Sequence, residues 1–216
     1  MNFNLIKNVI DLIEEFENQS LDKSEVSIDD FKTWIVSNHN INEANEPHWN
    51  GKENNRTPES VISTLLVHMN RYAKTYSKSA IFDSDFTSQE DFIYLINLKA
   101  FGEMSKMDLI KKNVHEKPVG MQIINRLIAK EWINQTDSEI DKRSKMIRIS
   151  QKGIQVLENQ MNKIRKATEV VSGDLTHKEK MELIRLLQKL DNFHQPIYNM
   201  NIESEDLLTV ASKYIN

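Results

Sequence analysis

Gln122 and Asn125 stand three residues apart, preceded by Lys117 and Val119 and followed by Arg126, within Lys117-Pro118-Val119-Gly120-Met121-Gln122-Ile123-Ile124-Asn125-Arg126-Leu127. A carboxamide can bond both edge atoms of an adenine, and Lys or Arg can reach guanine or phosphate. These types read duplex DNA when a helix holds them on one face. Ile123, Ile124, Leu127 and Ile128 supply the opposite stripe. A helix from near Pro118 to about Lys130 would bury that stripe and leave the polar set free to enter a major groove. Gly120 would allow close approach of a neighbouring helix, and Met121 would border the groove. Further along, Asp141-Lys142-Arg143-Ser144-Lys145 forms a cationic cluster, with Asp141 placed to orient Arg143 toward a minor groove or phosphate. Each feature alone equally describes a solvated polar face; their succession favours a role.

The elements needed to hold them are legible around them. Trp132 and Ile133 begin a strand, and Met146-Ile147-Arg148-Ile149 alternates as its partner, so residues 134–145 form an exposed hairpin, a wing. Two short helices are expected before the reading helix. Thr87 and Glu90 give a capping-box signature for one carrying Phe92, Ile93, Leu95, Ile96 and Leu98 to Gly102. Ser105 and Asp108 repeat the device for one holding Met107, Leu109 and Ile110. Upstream, Thr57 caps a long helix with Pro58 at its first position, running to about Ile81. Downstream, a helix from Gln151 shows Ile154, Leu157, Met161, Ile164, Thr168 and Val171 at spacings of three and four, a seam of heptad type. Thr176 and Glu179 cap a last long helix through Leu183, Leu187 and Phe193, which Pro196 is expected to stop. A short tail helix is expected over Ser204 to Tyr214.

Charge is distributed unevenly along the 216 residues. Residues 1–60 hold five Lys/Arg against twelve Asp/Glu, whereas residues 105–148 hold ten against six. The basic density therefore sits where the reading unit would be, although the whole chain carries -4. Residues 1–56 read as an acidic extension: one helix with Leu5, Ile6, Val9, Ile10, Leu12, Ile13 and Phe16 at helical spacing, a second opening at Ser27 and Asp30, and an Asn-rich linker. The absence of cysteine excludes disulfides, thiolate nucleophiles and cysteine-ligated zinc. No Gly-rich phosphate loop, Gly-x-Ser-x-Gly or His-Glu-x-x-His appears, so no enzyme, cofactor or metal is expected. His39 and His48, near Glu43 and Glu46, read as solvent-facing; His68 reads as a packing or interface residue, and His115 and His177 as local capping or surface groups. No apolar run reaches membrane-span length, and no signal-peptide core follows the start. The cytoplasm is the expected compartment.

The recognition-helix segment, the Asp141-x-Arg143 wing running into Ile149-Ser150-x-x-Gly153, and Leu175-Thr176-His177-Lys178-Glu179 leading to Leu183 and Leu186-Leu187 together resemble the MarR family of bacterial transcription regulators. The match spans about Thr57 to Phe193. It implies a mainly α fold with a small β wing: a winged helix-turn-helix with long N- and C-terminal dimerisation helices. It also implies an obligate homodimer on pseudo-palindromic double-stranded DNA, acting as a repressor that a small effector of unidentified chemistry relieves. The expected organisation is an extension over 1–56, the winged-helix domain over 57–195 with its DNA-reading part about 87–150, and a tail over 196–216. Lys117, Val119, Gln122 and Asn125 would read or border bases, and Arg126, Lys142, Arg143 and Lys145 would hold phosphates or the minor groove. Ile154, Leu157, Met161, Ile164, Leu183 and Leu187 would form the dimer seam. Glu131 departs from the family, which often has Gly there; the extension and the tail also lie outside its pattern. The acidic extension and negative net charge motivate an alternative, a winged-helix module that binds a protein and not DNA.

Overall fold

The structure, a computed structural model, describes residues 3–19, 27–38, 47–137 and 145–215. The chain divides into two compact units, Met1–Val61 and Ile62–Asn216.

In the first unit, helices α1 (Phe3–Gln19) and α2 (Ile28–Asn38) pack through aromatic rings. Phe16 lies 5.2 Å from Phe31 and 5.5 Å from Trp34 between centroids, and the Trp34 indole N–H donates to the Gln19 carboxamide at 2.9 Å. The box at Ser27 forms as its sequence implies: Asp30 N–H donates to Ser27 Oγ, and Ser27 N–H to the Asp30 carboxylate, both at 3.1 Å. Leu5, Ile6, Val9, Ile10 and Ile13 of α1 remain exposed.

Helix α3 (Pro58–Ala80) begins where Thr57 and Pro58 place it, with Thr57 Oγ1 accepting from Ser60 N–H at 3.4 Å. In the second unit there follow α4 (Gln89–Phe101), β1 (Met104–Ser105), α5 (Lys106–Lys112), α6 (Lys117–Ala129), β2 (Ile133–Asp137), β3 (Lys145–Ile149), α7 (Gln151–Ser172), α8 (His177–Asn199) and α9 (Ser204–Ala211). The sheet runs β1-β3-β2, antiparallel throughout, pairing Ile133 with Ile149 and Met104 with Ile147. Tyr94, Leu95 and Leu98 of α4, Leu109 and Ile110 of α5, Ile124 and Leu127 of α6, Ile133 of β2, Ile147 of β3 and Leu157 of α7 close the core, with Met104 of β1 at its edge.

Three expectations change. Thr87 and Glu90 form no capping box: α4 starts at Gln89 after Ser88, and Asp91 takes the Thr87 N–H at 2.8 Å. Asp91 is fully buried beside an arginine, so its carboxylate is the fixed acceptor in reach. Leu157 and Ile164 are buried in the subunit's own core, and Met161 packs against it, so this seam of α7 faces inward and not toward a partner. Heptad spacing shows that a stripe is covered, not what covers it; here the cover includes α4. Ile154 is half-buried. Pro196 does not stop α8, which continues to Asn199 because Ile197 is buried and Tyr198 is tied down at the far side of the domain. That anchorage offsets the lost backbone bond.

Two glycines mark where backbones must touch. A Cβ on Gly120 would lie 2.4 Å from a side-chain carbon of Ile110, fixing the approach of α6 to α5. On Gly153 it would lie 2.2 Å from the backbone oxygen of Trp132. The first neighbour can shift its rotamer; the second is main chain. Both alanine variants should therefore destabilise, Gly120→Ala by about 1–3 kcal/mol and Gly153→Ala by more. Chemical denaturation of the two variants checks the order, and an equal or reversed loss would contradict the close approach at Trp132.

Candidate nucleic-acid interface

Helix α6 buries Gly120, Ile123, Ile124 and Leu127, the set expected of one amphipathic stripe. Lys117, Val119, Gln122 and Asn125 lie on its exposed side. None of the three polar side chains has a hydrogen bond or ion pair to another described residue. Their donors and acceptors are thus available to a partner at no cost in broken internal bonds. Met121 is half-buried against the core, away from a groove-lining role.

Arg126 is placed differently. Its Nε donates to Asp91 Oδ1 at 2.9 Å, its Nη2 donates to the same oxygen, and Nη2 also reaches Ser88 Oγ at 3.3 Å. Asp91 has no solvent exposure, and its second oxygen holds Thr87 N–H. The guanidinium is spent on locking α6 to the start of α4, which sets the angle of the exposed face. Lys130, one turn later, donates to the Asp85 carbonyl and to Thr87 Oγ1 at 3.1 Å, with its ammonium 4.5 Å from the Trp132 ring centre. Sequence reasoning missed Asp91; its signal was a second acid after Glu90, directly before the apolar run of Phe92, Ile93, Tyr94 and Leu95.

The far end of α6 joins the wing through one tight junction. Glu131 adopts φ 60, the left-handed region, so the position where the family often carries Gly keeps the backbone conformation that favours Gly. Ser150 Oγ donates to the Glu131 carbonyl at 2.6 Å and accepts Gly153 N–H at 3.0 Å. Ser150 N–H donates to the Trp132 carbonyl at 2.9 Å. Lys152 bonds the Glu131 carboxylate at 2.7 Å, and this hydrogen bond holds the carboxyl below its ordinary range. The Ser150-x-x-Gly153 motif therefore has a mechanical content: the serine caps α7 and ties it to the wing, and the glycine makes room.

On the wing, Lys145 pairs with Asp137 across β2 and β3. Arg148, exposed on β3 and without a partner among the described residues, is a cation that the sequence reading left out of the interface. Asp141, Lys142 and Arg143 lie outside the described residues, as do His39, Glu43 and Glu46. Among the described residues no cluster of acids and histidines could hold a metal ion, and no helix is long and apolar enough to cross a membrane.

His115 proves more than a surface group. Its ring stacks on Tyr94, Nδ1 lies 2.9 Å from the Tyr94 hydroxyl and Nε2 3.6 Å from Glu90. Burial, with Glu90 adding to it, pushes the Tyr94 phenol far up, so it stays protonated. The turn before α6 is thereby held to α4.

The chain can be set beside known proteins. No protein-family model matches it. The HTH-type transcriptional repressor NicR of Pseudomonas putida is 27% identical over 132 residues, which cover 61% of this chain and 82% of that protein. BpsR of Bordetella bronchiseptica, whose DNA binding is regulated by 6-hydroxynicotinic acid, superimposes with a TM-score of 0.56 at 21% identity, covering 60% of this chain and 98% of its own. A mutant MarR of E. coli complexed with operator DNA gives 0.55 at 18% identity, covering 60% and 92%. The fold is thus shared over about 60% of this chain.

The Asp91–Arg126 contact makes a testable demand. Removing one partner of a buried pair strands the other, so Asp91→Ala should cost about 3 kcal/mol, the low end for such pairs because Arg126 is partly exposed. Denaturant melts measure it; a loss within a few tenths of a kcal/mol would mean that the pair does not hold α6.

Proposed function

We infer that this chain, which has the winged-helix fold of the MarR-family transcription regulators, is a sequence-specific DNA-binding regulator: a homodimeric cytoplasmic repressor on a pseudo-palindromic operator, relieved by a small effector, and not an enzyme. The observation that carries the reading is the free face of α6. Lys117, Val119, Gln122 and Asn125 are exposed together on a helix whose opposite stripe is locked into the core. Gln122 and Asn125 read base edges, Val119 offers an apolar contact, and Lys117 reaches guanine or phosphate. Arg126 serves as a positioning residue through Asp91. Lys142 and Arg143, assigned from the sequence, contact backbone or minor groove, joined by Arg148 and by Lys145 once it exchanges Asp137 for phosphate.

The dimer reading rests on uncovered apolar surface. Ile62, Leu65, Leu66, Met69 and Tyr72 of α3 are exposed, as are Met181, Leu183, Ile184, Leu186, Leu187 and Leu190 of α8. Two long helices with bare apolar sides exceed what a monomer ordinarily shows to water. A second copy covers them; α8 keeps the place assigned to Leu183 and Leu187, and α3 takes the place assigned to the seam of α7. The effector acts by binding one spacing of the two α6 helices more tightly than the other; that BpsR responds to 6-hydroxynicotinic acid supports an effector for this chain too.

Selection of bound duplexes from a random pool tests the function. An inverted repeat with half-sites about one helical turn apart is the expected product; no enrichment by folded protein would overturn the reading. Against the selected site, Gln122→Ala should cost about 1–3 kcal/mol at particular base pairs, whereas Arg143→Ala should weaken all duplexes and flatten the salt dependence. A uniform loss in Gln122→Ala would remove its base-reading role. Leu187→Glu should convert the dimer to monomer in light scattering at micromolar concentration, and a variant that stays dimeric would move the interface elsewhere.

A further inference from the structure

The chain that continues past the winged helix turns back onto it. Tyr198 donates its hydroxyl hydrogen bond to the His115 carbonyl at 2.8 Å, and Ile197 beside it is buried. Between this point, the turn before α6 and the start of α9 lies a cleft of about 470 Å³. The volume is within the range of small-molecule sites. Ile110, Ile197 and Leu207 give it apolar lining. Four charged side chains border it: Lys111, Glu116 and Lys117 from the helix-turn-helix side, and Glu203 from the tail.

None of the four has a hydrogen bond or ion pair to another described residue. The two carboxylates immediately precede helices, Glu116 before α6 and Glu203 before α9, yet neither caps its helix with its side chain. Two cations and two anions thus border one cleft with an apolar side, their charges unspent on the protein.

We propose that this cleft binds a small zwitterion with an apolar body, an apolar α-amino acid or a dipeptide of such residues. A simple carboxylate would meet Lys111 and Lys117 but bring like charge beside Glu116 and Glu203; a simple amine meets the reverse. A molecule carrying both signs satisfies both pairs, and discrimination against the singly charged analogues follows from the repulsion they meet. The apolar body lies against Ile110, Ile197 and Leu207. Lys117 also opens the exposed face of α6, so an occupied cleft draws that ammonium away from phosphate. This last consequence rests on the DNA-binding reading; the site itself does not.

Calorimetric titration of the full-length, DNA-free protein with L-leucine and L-leucyl-L-leucine tests it, with 4-methylpentanoate and isopentylamine as the singly charged analogues of leucine. At least one zwitterion should bind saturably, and about tenfold or more tighter than either analogue, as expected for loss of a charge-assisted hydrogen bond. Lys111→Ala and Glu203→Gln, both on the surface, should each weaken it about tenfold while leaving the unfolding midpoint unchanged. Absence of binding by both zwitterions, equal affinity for 4-methylpentanoate, or unchanged affinity in the two variants would each overturn the proposal. With no DNA present, failure of the DNA-binding reading would not alter the result.

Discussion

The backbone contact between Gly153 and Trp132 is the constraint on which the reading unit depends. Its closeness lets Ser150 reach the Glu131 carbonyl at 2.6 Å while capping α7. Recognition helix, wing and the helix leading out of the domain meet within a few residues there. Buried main chain does not shift rotamers, so the three elements move as one body or not at all. A change in the course of α7 is transmitted directly to α6 and the wing.

Helix α6 is also held by polar bonds, at Arg126 in its last turn and at His115 just ahead of its first. Asp91, without exposure, spends one oxygen on Arg126 and the other on Thr87 N–H. His115 is clasped by Tyr94 on one side and, through its carbonyl, by Tyr198 on the other. Apolar packing of Ile123, Ile124 and Leu127 gives most of the burial but is tolerant of rotation; the directional bonds choose the angle. The exposed Lys117, Gln122 and Asn125 are left free of internal bonds because their neighbours on the helix carry the attachment.

Beyond this unit the surface is unusually apolar along α3 and α8. The same physics that closed the core around Leu157 and Ile164 is unsatisfied there. In the proposed dimer, a rigid reading head and an uncovered pair of long helices are complementary: one would present chemistry to a groove, the other would set the separation of two such presentations.

Much of this was legible in residue order. Helix boundaries at Thr57-Pro58, Ser105, Ser150 and Thr176 follow from local hydrogen-bonding chemistry, and the free face of α6 follows from the spacing of Ile123, Ile124 and Leu127. Those signals are local, since a cap or an apolar stripe is written within a few residues. What only tertiary structure decided is who meets whom. The seam of α7 turned inward because α4 was there to cover it, Asp91 displaced the Thr87–Glu90 box because Arg126 arrived from a distant helix, and α8 ran through Pro196 because Tyr198 found the His115 carbonyl. Each outcome is a competition between a local preference and a partner far away in the chain, and spacing along one segment carries no record of that partner.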